Sequence, residues 1–223
     1  MKERTQQLLK LVIENHIETA LPVGSQFLTE QAGLDVSAAT VRNELATLEE
    51  EGFLTHPHTS AGRVPTEIGY RYYVDHLMEQ KPIAKKVQDE VGAYSRDEDK
   101  RQGMKLTAKF VAGHTRSAVI IAFDLSSVYY TGISNLFSQP EFHEVGHTID
   151  VSAIFDTVEE HVEELFDALE ETPTALIGKT NPFGSMCGLV GSRIGKKSTF
   201  AVLGPMRMDY SRVIPLVSFV STL

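Results

Sequence analysis

The chain has 223 residues, which is enough for one large domain or two small ones. Its 21 Lys and Arg face 30 Asp and Glu, a net charge of −9. This acidity argues mildly against nucleic acid as a bulk partner, but it does not exclude a small local DNA-reading surface. With 42% hydrophobic and 23% charged residues, the composition is that of a globular protein with a sizeable core, which excludes disorder of the whole chain.

The sequence favours a cytoplasmic protein with no membrane association. No apolar run approaches the ~18 residues that a bilayer span needs. The first twenty residues are rich in charge, so we expect no signal peptide. Cys187 is the one cysteine, which excludes an intramolecular disulfide and a thiolate zinc site. It could act as a redox sensor, but a lone cysteine in an apolar run is more often inert packing.

Composition and pattern divide the chain into three parts. Residues 1–82 show helical patterns with sharp stop signals, and residues 83–105 form a charged linker or solvated helix. Residues 106–223 alternate short β-prone runs with two helical patterns. The runs are 118–123, 128–132, 175–178, 188–192 and 198–203, and the helices are 151–169 and 209–222. This order predicts a small α+β domain with a mainly antiparallel sheet.

The first part has the order of a helix-turn-helix. The first helix ends at Pro22 and has an apolar stripe at helical spacing: Leu8, Leu9, Val12, Ile13 and Ile17. Ser25 can cap a short second helix that stops at Gly33. Ser37 then caps a third helix over 38–51. Helix, short helix, glycine turn and helix are the elements of this motif.

The third helix carries the candidate DNA-reading residues. Val41, Leu45 and Leu48 face inward, and the opposite side carries small and polar residues. Arg and Asn suit bidentate contacts with guanine and adenine, so we predict that Arg42 and Asn43 read bases. We predict further DNA contacts on the same side from Ser37, Ala39, Thr40 and Thr47. The plain alternatives are a solvated helix face and, for Ser37, an N-cap alone.

A wing hairpin is predicted after the third helix. Two β-prone flanks enclose small residues, and we predict DNA contacts from the tip residues His58, Thr59 and Ser60 and from Arg63 beside them. The alternative for Arg63 is a salt bridge that braces the hairpin. Residues 1–82 hold 7 Lys and Arg against 12 Asp and Glu, a net −5. We therefore expect weak non-specific binding, with specificity from base contacts and shape.

The sequence gives little support for an enzyme active site or a metal site. The chain lacks a GxSxG motif, and the stretch before Gly195 and Lys196 resembles a phosphate-binding loop only in part. Val190 stands where the first glycine belongs, and Lys197 where a Ser or Thr belongs. Two histidine pairs, His56 with His58 and His143 with His147, have no further candidate metal ligands at a spacing typical of a metal site. We expect no enzyme, no metal and no cofactor.

Segments in both the first and the last part of the chain resemble the HrcA family of heat-inducible transcription repressors. The matching motifs include VSAATVRNE at 36–44, HTSAGRVPT at 58–66, GYRYYVD at 69–75, GISNL at 132–136, QPEF at 139–142 and GPMRMDYSRVI at 204–214. The resemblance implies a winged helix-turn-helix followed by a GAF-like domain. It also implies a homodimer on an inverted-repeat operator (the CIRCE element) of chaperone operons, kept active by the GroE chaperonin.

The chain departs from the family in one respect. It is shorter than typical members, with the shortfall near residues 100–130, where the family carries an inserted dimerising domain. Two alternatives therefore stay open: a ligand-sensing winged-helix regulator of another operon, and a partner of a full-length repressor. A closed pocket with convergent polar groups would favour the first, and co-purification as a heteromer would favour the second.

Overall fold

The fold was analysed in a computed structural model that describes residues 1–31, 37–57, 62–195 and 197–223. The chain forms two compact units, Met1–Glu79 and Gln80–Leu223.

The first unit consists of helices and one short hairpin. Its helices are α1 (Glu3–Thr19), α2 (Ser25–Gln31), α3 (Ala38–Glu50) and α4 (Glu67–Tyr72), which continues as a π-helical turn (Tyr73–Leu77). Strands β1 (Leu54–Thr55) and β2 (Val64–Pro65) pair antiparallel.

Local chemistry explains the bounds of α2 and α3. The Ser37 side chain accepts a hydrogen bond from the Thr40 N–H and so caps α3, as predicted. Gly52 follows the helix with φ +81°, a conformation that favours glycine. The predicted cap at Ser25 is wrong, because α2 begins at that residue and the Gly24 carbonyl accepts from the Leu28 N–H. The turn predicted at Gly33 lies outside the described residues.

The base of the hairpin is fixed to the segment that follows α1. Val23 and Arg63 exchange both backbone hydrogen bonds, at 2.8 and 2.9 Å. A side chain at Gly62 would lie 2.4 Å from the Val23 carbonyl oxygen, so only glycine fits there. At the other end of the hairpin, Thr66 caps α4 by accepting from the Gly69 N–H.

The second unit is built on a five-stranded antiparallel sheet of order β4-β3-β7-β6-β5. Its strands are β3 (Ala118–Asp124), β4 (Ser127–Thr131), β5 (Thr174–Ile177), β6 (Cys187–Ile194) and β7 (Ser198–Pro205). Its helices are α5 (Lys85–Tyr94), α6 (Lys100–Thr115), α7 (Ile133–Phe137), α8 (Val145–Asp156), α9 (Val162–Ala168) and α10 (Tyr210–Ser221).

Helices cover both faces of this sheet. On one face, residues of α7, α8 and α9 form an apolar cluster with the strands, and Leu169 packs against Gly191. On the other face, Tyr210 of α10 packs against Gly188. Burial on both faces explains why β3, β6 and β7 are nearly continuous apolar runs rather than alternating ones.

The structure confirms the α+β class with a mainly antiparallel sheet, and all five predicted β-prone runs are strands. The single helix predicted over 151–169 is wrong. It is divided into α8, a 3₁₀ turn (Val158–His161) and α9, because Thr157 leaves the helical conformation at φ −117°. The predicted stripe is nevertheless buried, from Ile154 to Leu169.

Residues 83–105 hold α5 and the start of α6, and Val87 and Val91 are buried. Among the helices of the described chain, none combines the length and apolar character needed to cross a bilayer.

Candidate nucleic-acid interface

The outward face of α3 is the candidate interface. Val41, Leu45 and Leu48 are buried and hold the helix on the core. The residues predicted to contact DNA lie on the opposite side: Ser37, Ala39, Arg42, Asn43 and Thr47 are exposed, and Thr40 is half-buried. Helix α3 and its N-cap Ser37 therefore bring together six of the ten residues predicted to contact DNA.

Arg42 and Asn43 are the two residues of this face that are predicted to read bases. In the described part of the chain, neither makes a hydrogen bond or ion pair through its side chain, whereas Thr47 donates to the Asn43 carbonyl at 3.2 Å. A guanidinium and an amide that are not engaged within the protein remain available for base edges.

The orientation of α3 is fixed by a polar cluster with α1. The Glu44 carboxylate accepts from the Thr5 hydroxyl at 2.6 Å and from Arg4 Nε at 2.7 Å. Its side chain is only 13% exposed. Burial alone would raise the pKa of Glu44, but the hydrogen bonds from Thr5 and Arg4 and the charge of Arg4 outweigh it and lower this pKa.

Replacing Glu44 by glutamine is expected to destabilise the protein at pH 7 by about 1–3 kcal/mol, since hydrogen bonds to a charged group are lost. The folded-state pKa of Glu44 lies below its ordinary value, so the carboxylate stabilises the fold above that value and loses this effect as the pH falls through the folded pKa. Urea unfolding of both proteins at pH 7 and at pH 3 measures the difference. A stability gap that stays constant between the two pH values would contradict the assignment.

A concave surface of about 520 Å³ lies beside the outward face of α3, between it and the start of α1. Its lining includes Thr40, Asn43 and Thr47 of α3 and Lys2 before α1. Lys2 was not among the predicted contacts, because no local sequence pattern places it near residues about forty positions away.

Arg63 is half-buried and pairs with a carboxylate. Its side chain is 16% exposed, and its Nη2 lies 2.9 Å from Glu49 Oε2. The same carboxylate contacts the His56 ring, so Glu49 binds both ends of the hairpin base. The structure thus shows the bracing salt bridge, and the contact of Arg63 with DNA stays a prediction. His58, Thr59 and Ser60 lie outside the described residues.

The positive charge of the first unit is distributed unevenly. Six Lys and Arg lie in Met1–Glu79, and four are paired with carboxylates: Arg4 with Glu44, Lys10 with Glu79, Arg63 with Glu49 and Arg71 with Glu67. Within the described residues, Lys2 and Arg42 have no such pair. One lines the concave surface and the other lies on the outward face of α3.

Two features of the second unit bear on the alternatives. A cavity of about 690 Å³ at the β3–β4 turn is lined by Phe123, Phe166 and polar residues, but it includes Leu125, which is 54% exposed. It is therefore not the closed pocket that a ligand sensor would need. Cys187 is buried, and burial raises its thiol pKa to about 12, which suits inert packing.

Three comparisons with known proteins bear on the identity of the chain. A family model described as the HrcA protein C-terminal domain matches residues 70–214. The heat-inducible transcription repressor HrcA of Chloroflexus aurantiacus is 55% identical over 84 residues, 38% of this chain and 23% of that protein. The repressor of the same name from Carboxydothermus hydrogenoformans is 37% identical over 141 residues, 62% of this chain and 41% of that protein.

A solved structure described as a hypothetical protein shares the fold, with a TM-score of 0.81 over 100% of this chain and 97% of the other at 16% identity. The aligned part of the chain spans less than half the length of these curated relatives. The family model covers well over half of the residues, including the sheet and most of its helices. The chain belongs to the HrcA family.

Proposed function

We propose that the chain is a DNA-binding transcription repressor whose first unit is a winged helix and whose second is a GAF-like regulatory domain. Helix α3 would lie in the major groove with Arg42 and Asn43 toward the bases, and the hairpin would be the wing. In a two-fold dimer, the two α3 helices would be about 34 Å apart, or a multiple of this. The names of the curated relatives support the repressor function.

The observation that carries this proposal is the pattern of charge pairing. Four of the six Lys and Arg residues in Met1–Glu79 form salt bridges with carboxylates. The remaining two, Lys2 and Arg42, have no such pair within the described residues and lie at the outward side of α3. An acidic module can bind DNA only if its free positive charge is concentrated on one face. Small and polar residues surround Arg42 there, which allows a close approach to a groove.

The proposed target and regulation are those that the resemblance to the HrcA family implies. We propose an inverted-repeat operator of the CIRCE type upstream of chaperone operons, bound by a homodimer. Repression would depend on the GroE chaperonin, which would keep the protein active until unfolded proteins occupy it.

Fluorescence anisotropy on an inverted-repeat duplex, with a scrambled duplex of equal length and a salt series, tests the proposal. We expect tight binding to the repeat and weak binding to the scrambled DNA. Each neutralised phosphate contributes about 0.9 to the slope of log K against log salt, so a dimer with few free cations should give a slope of about −2 to −4. Equal weak binding to both duplexes would refute the proposal.

Two lysine variants test whether Lys2 contacts a phosphate of the DNA. Lys2→Ala should reduce the magnitude of the salt slope by about 0.9 for each subunit, because one phosphate contact is removed. Lys10→Ala is the matched control, since Lys10 pairs with Glu79 at 3.0 Å and is not at the α3 face. The control should leave the slope unchanged.

A further inference from the structure

Three carboxylates stand at the end of the candidate DNA-reading helix: Glu49, Glu50 and the C-cap Glu51. A carboxylate near DNA repels phosphate, and it is also unfavourable at the negative end of a helix. Glu50 and Glu51 are exposed, whereas Glu49 is half-buried. The position of Glu49 therefore calls for an explanation from its contacts.

The Glu49 carboxylate contacts both sides of the hairpin. Its Oε1 contacts Nδ1 of His56, the residue directly after β1. Its Oε2 lies 2.9 Å from Nη2 of Arg63, the residue directly before β2. Each carboxylate oxygen thus holds one side of the hairpin base against the end of α3.

The hairpin is too short to hold its own position. Strands β1 and β2 pair over two residues each, and an isolated pair of strands is at best marginally stable. Backbone hydrogen bonds attach Arg63 to Val23, and the Thr66 hydroxyl donates to the Gly52 carbonyl at 2.6 Å. Both of these contacts act on the β2 side. Glu49 adds a link from α3 to both sides at once.

The place of the Arg63 side chain depends on Glu49. This side chain is 16% exposed, and within the described residues its buried Nε has no hydrogen-bond partner. A largely buried guanidinium that loses its carboxylate leaves an uncompensated charge, which has to move toward water. Without Glu49, Arg63 would leave its present position at the hairpin base.

We propose that Glu49 is a positioning residue for DNA reading, which fixes the hairpin to α3 so that both elements meet one duplex in a single orientation. The proposal rests on the proposed function and deepens it, because it assigns the discrimination between DNA sequences partly to a residue that touches no base. The repulsion between this carboxylate and phosphate is offset by the two groups that it holds.

Glu49→Gln tests the proposal, with Glu50→Gln as the matched control. Both variants remove one negative charge from the end of α3, but the Glu50 side chain makes no hydrogen bond or ion pair within the described residues. By anisotropy, Glu49→Gln should lose about tenfold in affinity for the inverted repeat, because hydrogen bonds to a charged group are lost. Its affinity for scrambled DNA should not fall, since that binding depends on net charge. Glu50→Gln should keep the ratio of the two affinities of wild type.

Two results would overturn the proposal. If Glu49→Gln binds both duplexes more tightly, as expected for the loss of any surface carboxylate, Glu49 does not position the hairpin. If it loses equally on both duplexes, the substitution only lowers the folded fraction, which weakens all binding alike. Should Glu49→Gln not fold, His56→Ala removes one of the two contacts and should lose about threefold in discrimination. Full discrimination in His56→Ala would then overturn the proposal.

Amide hydrogen exchange separates this proposal from the proposed function. The N–H groups of Val23 and Arg63 bond across the hairpin base. In the absence of DNA they should exchange about tenfold faster in Glu49→Gln than in wild type, and Glu50→Gln should match wild type. Equal rates in the three proteins would overturn the proposal. If wild type does not distinguish the repeat from scrambled DNA, the proposed function fails, and the exchange rates still decide whether Glu49 fixes the hairpin.

Discussion

Arg42→Ala is expected to weaken binding to the inverted-repeat duplex by about 1–3 kcal/mol, roughly 5- to 150-fold, if the guanidinium makes a bidentate base contact. Arg42 is exposed on α3, follows the Ser37 cap by one turn and has no partner within the described residues. The variant should fold normally, because no contact seen in the structure is lost. Anisotropy on the repeat and on the scrambled duplex measures the specificity ratio.

Arg42→Lys separates base reading from simple charge. Lysine retains the positive charge but lacks the planar fork that matches a guanine edge. We therefore expect Arg42→Lys to retain the salt slope of wild type while losing most of the discrimination between repeat and scrambled DNA. If Arg42→Lys still discriminates fully between repeat and scrambled DNA, Arg42 contacts phosphate only. If Arg42→Ala binds the repeat as wild type does, Arg42 is not part of the DNA interface.

Phe200→Ala is expected to cost about 3–5 kcal/mol of unfolding free energy, since the loss of a buried ring leaves a cavity. Phe200 is 1% exposed on β7, the middle strand of the sheet, with Ile121 and Ser192 beside it on the neighbouring strands. Urea unfolding followed by circular dichroism measures the loss.

The matched control is Phe200→Leu, which refills most of the volume and should cost clearly less than the alanine variant. A loss below 1 kcal/mol for Phe200→Ala would show that the sheet does not depend on this side chain. The experiment also tests whether the second unit has a well-packed hydrophobic core of its own, which a regulatory domain requires.

The elements that could be predicted are those with local signals. Ser37 caps α3 and Gly52 ends it, and both act within four residues of the backbone groups they affect. The strands were predictable because a sheet covered on both faces needs apolar runs. The outward face of α3 followed from the positions of Val41, Leu45 and Leu48.

The parts that could not be predicted depend on contacts between distant residues. Glu44 meets Thr5 and Arg4 across about forty positions, and no periodicity encodes that pairing. A salt bridge of Arg63 was one of the two predicted alternatives, but its partner Glu49 could not be identified, because only the fold returns the hairpin base to the end of α3. The break between α8 and α9 lacked a proline or glycine signal, so the apolar stripe suggested one helix.

The internal pairing of cations has a consequence for how the protein would find its operator in a genome. Proteins slide along DNA when many cations hold them near the phosphates without regard to sequence. With four of six cations of the first unit held in salt bridges, this chain would leave random DNA quickly. It would search mainly by three-dimensional diffusion, and competition from bulk chromosomal DNA would remove little of it from the operator.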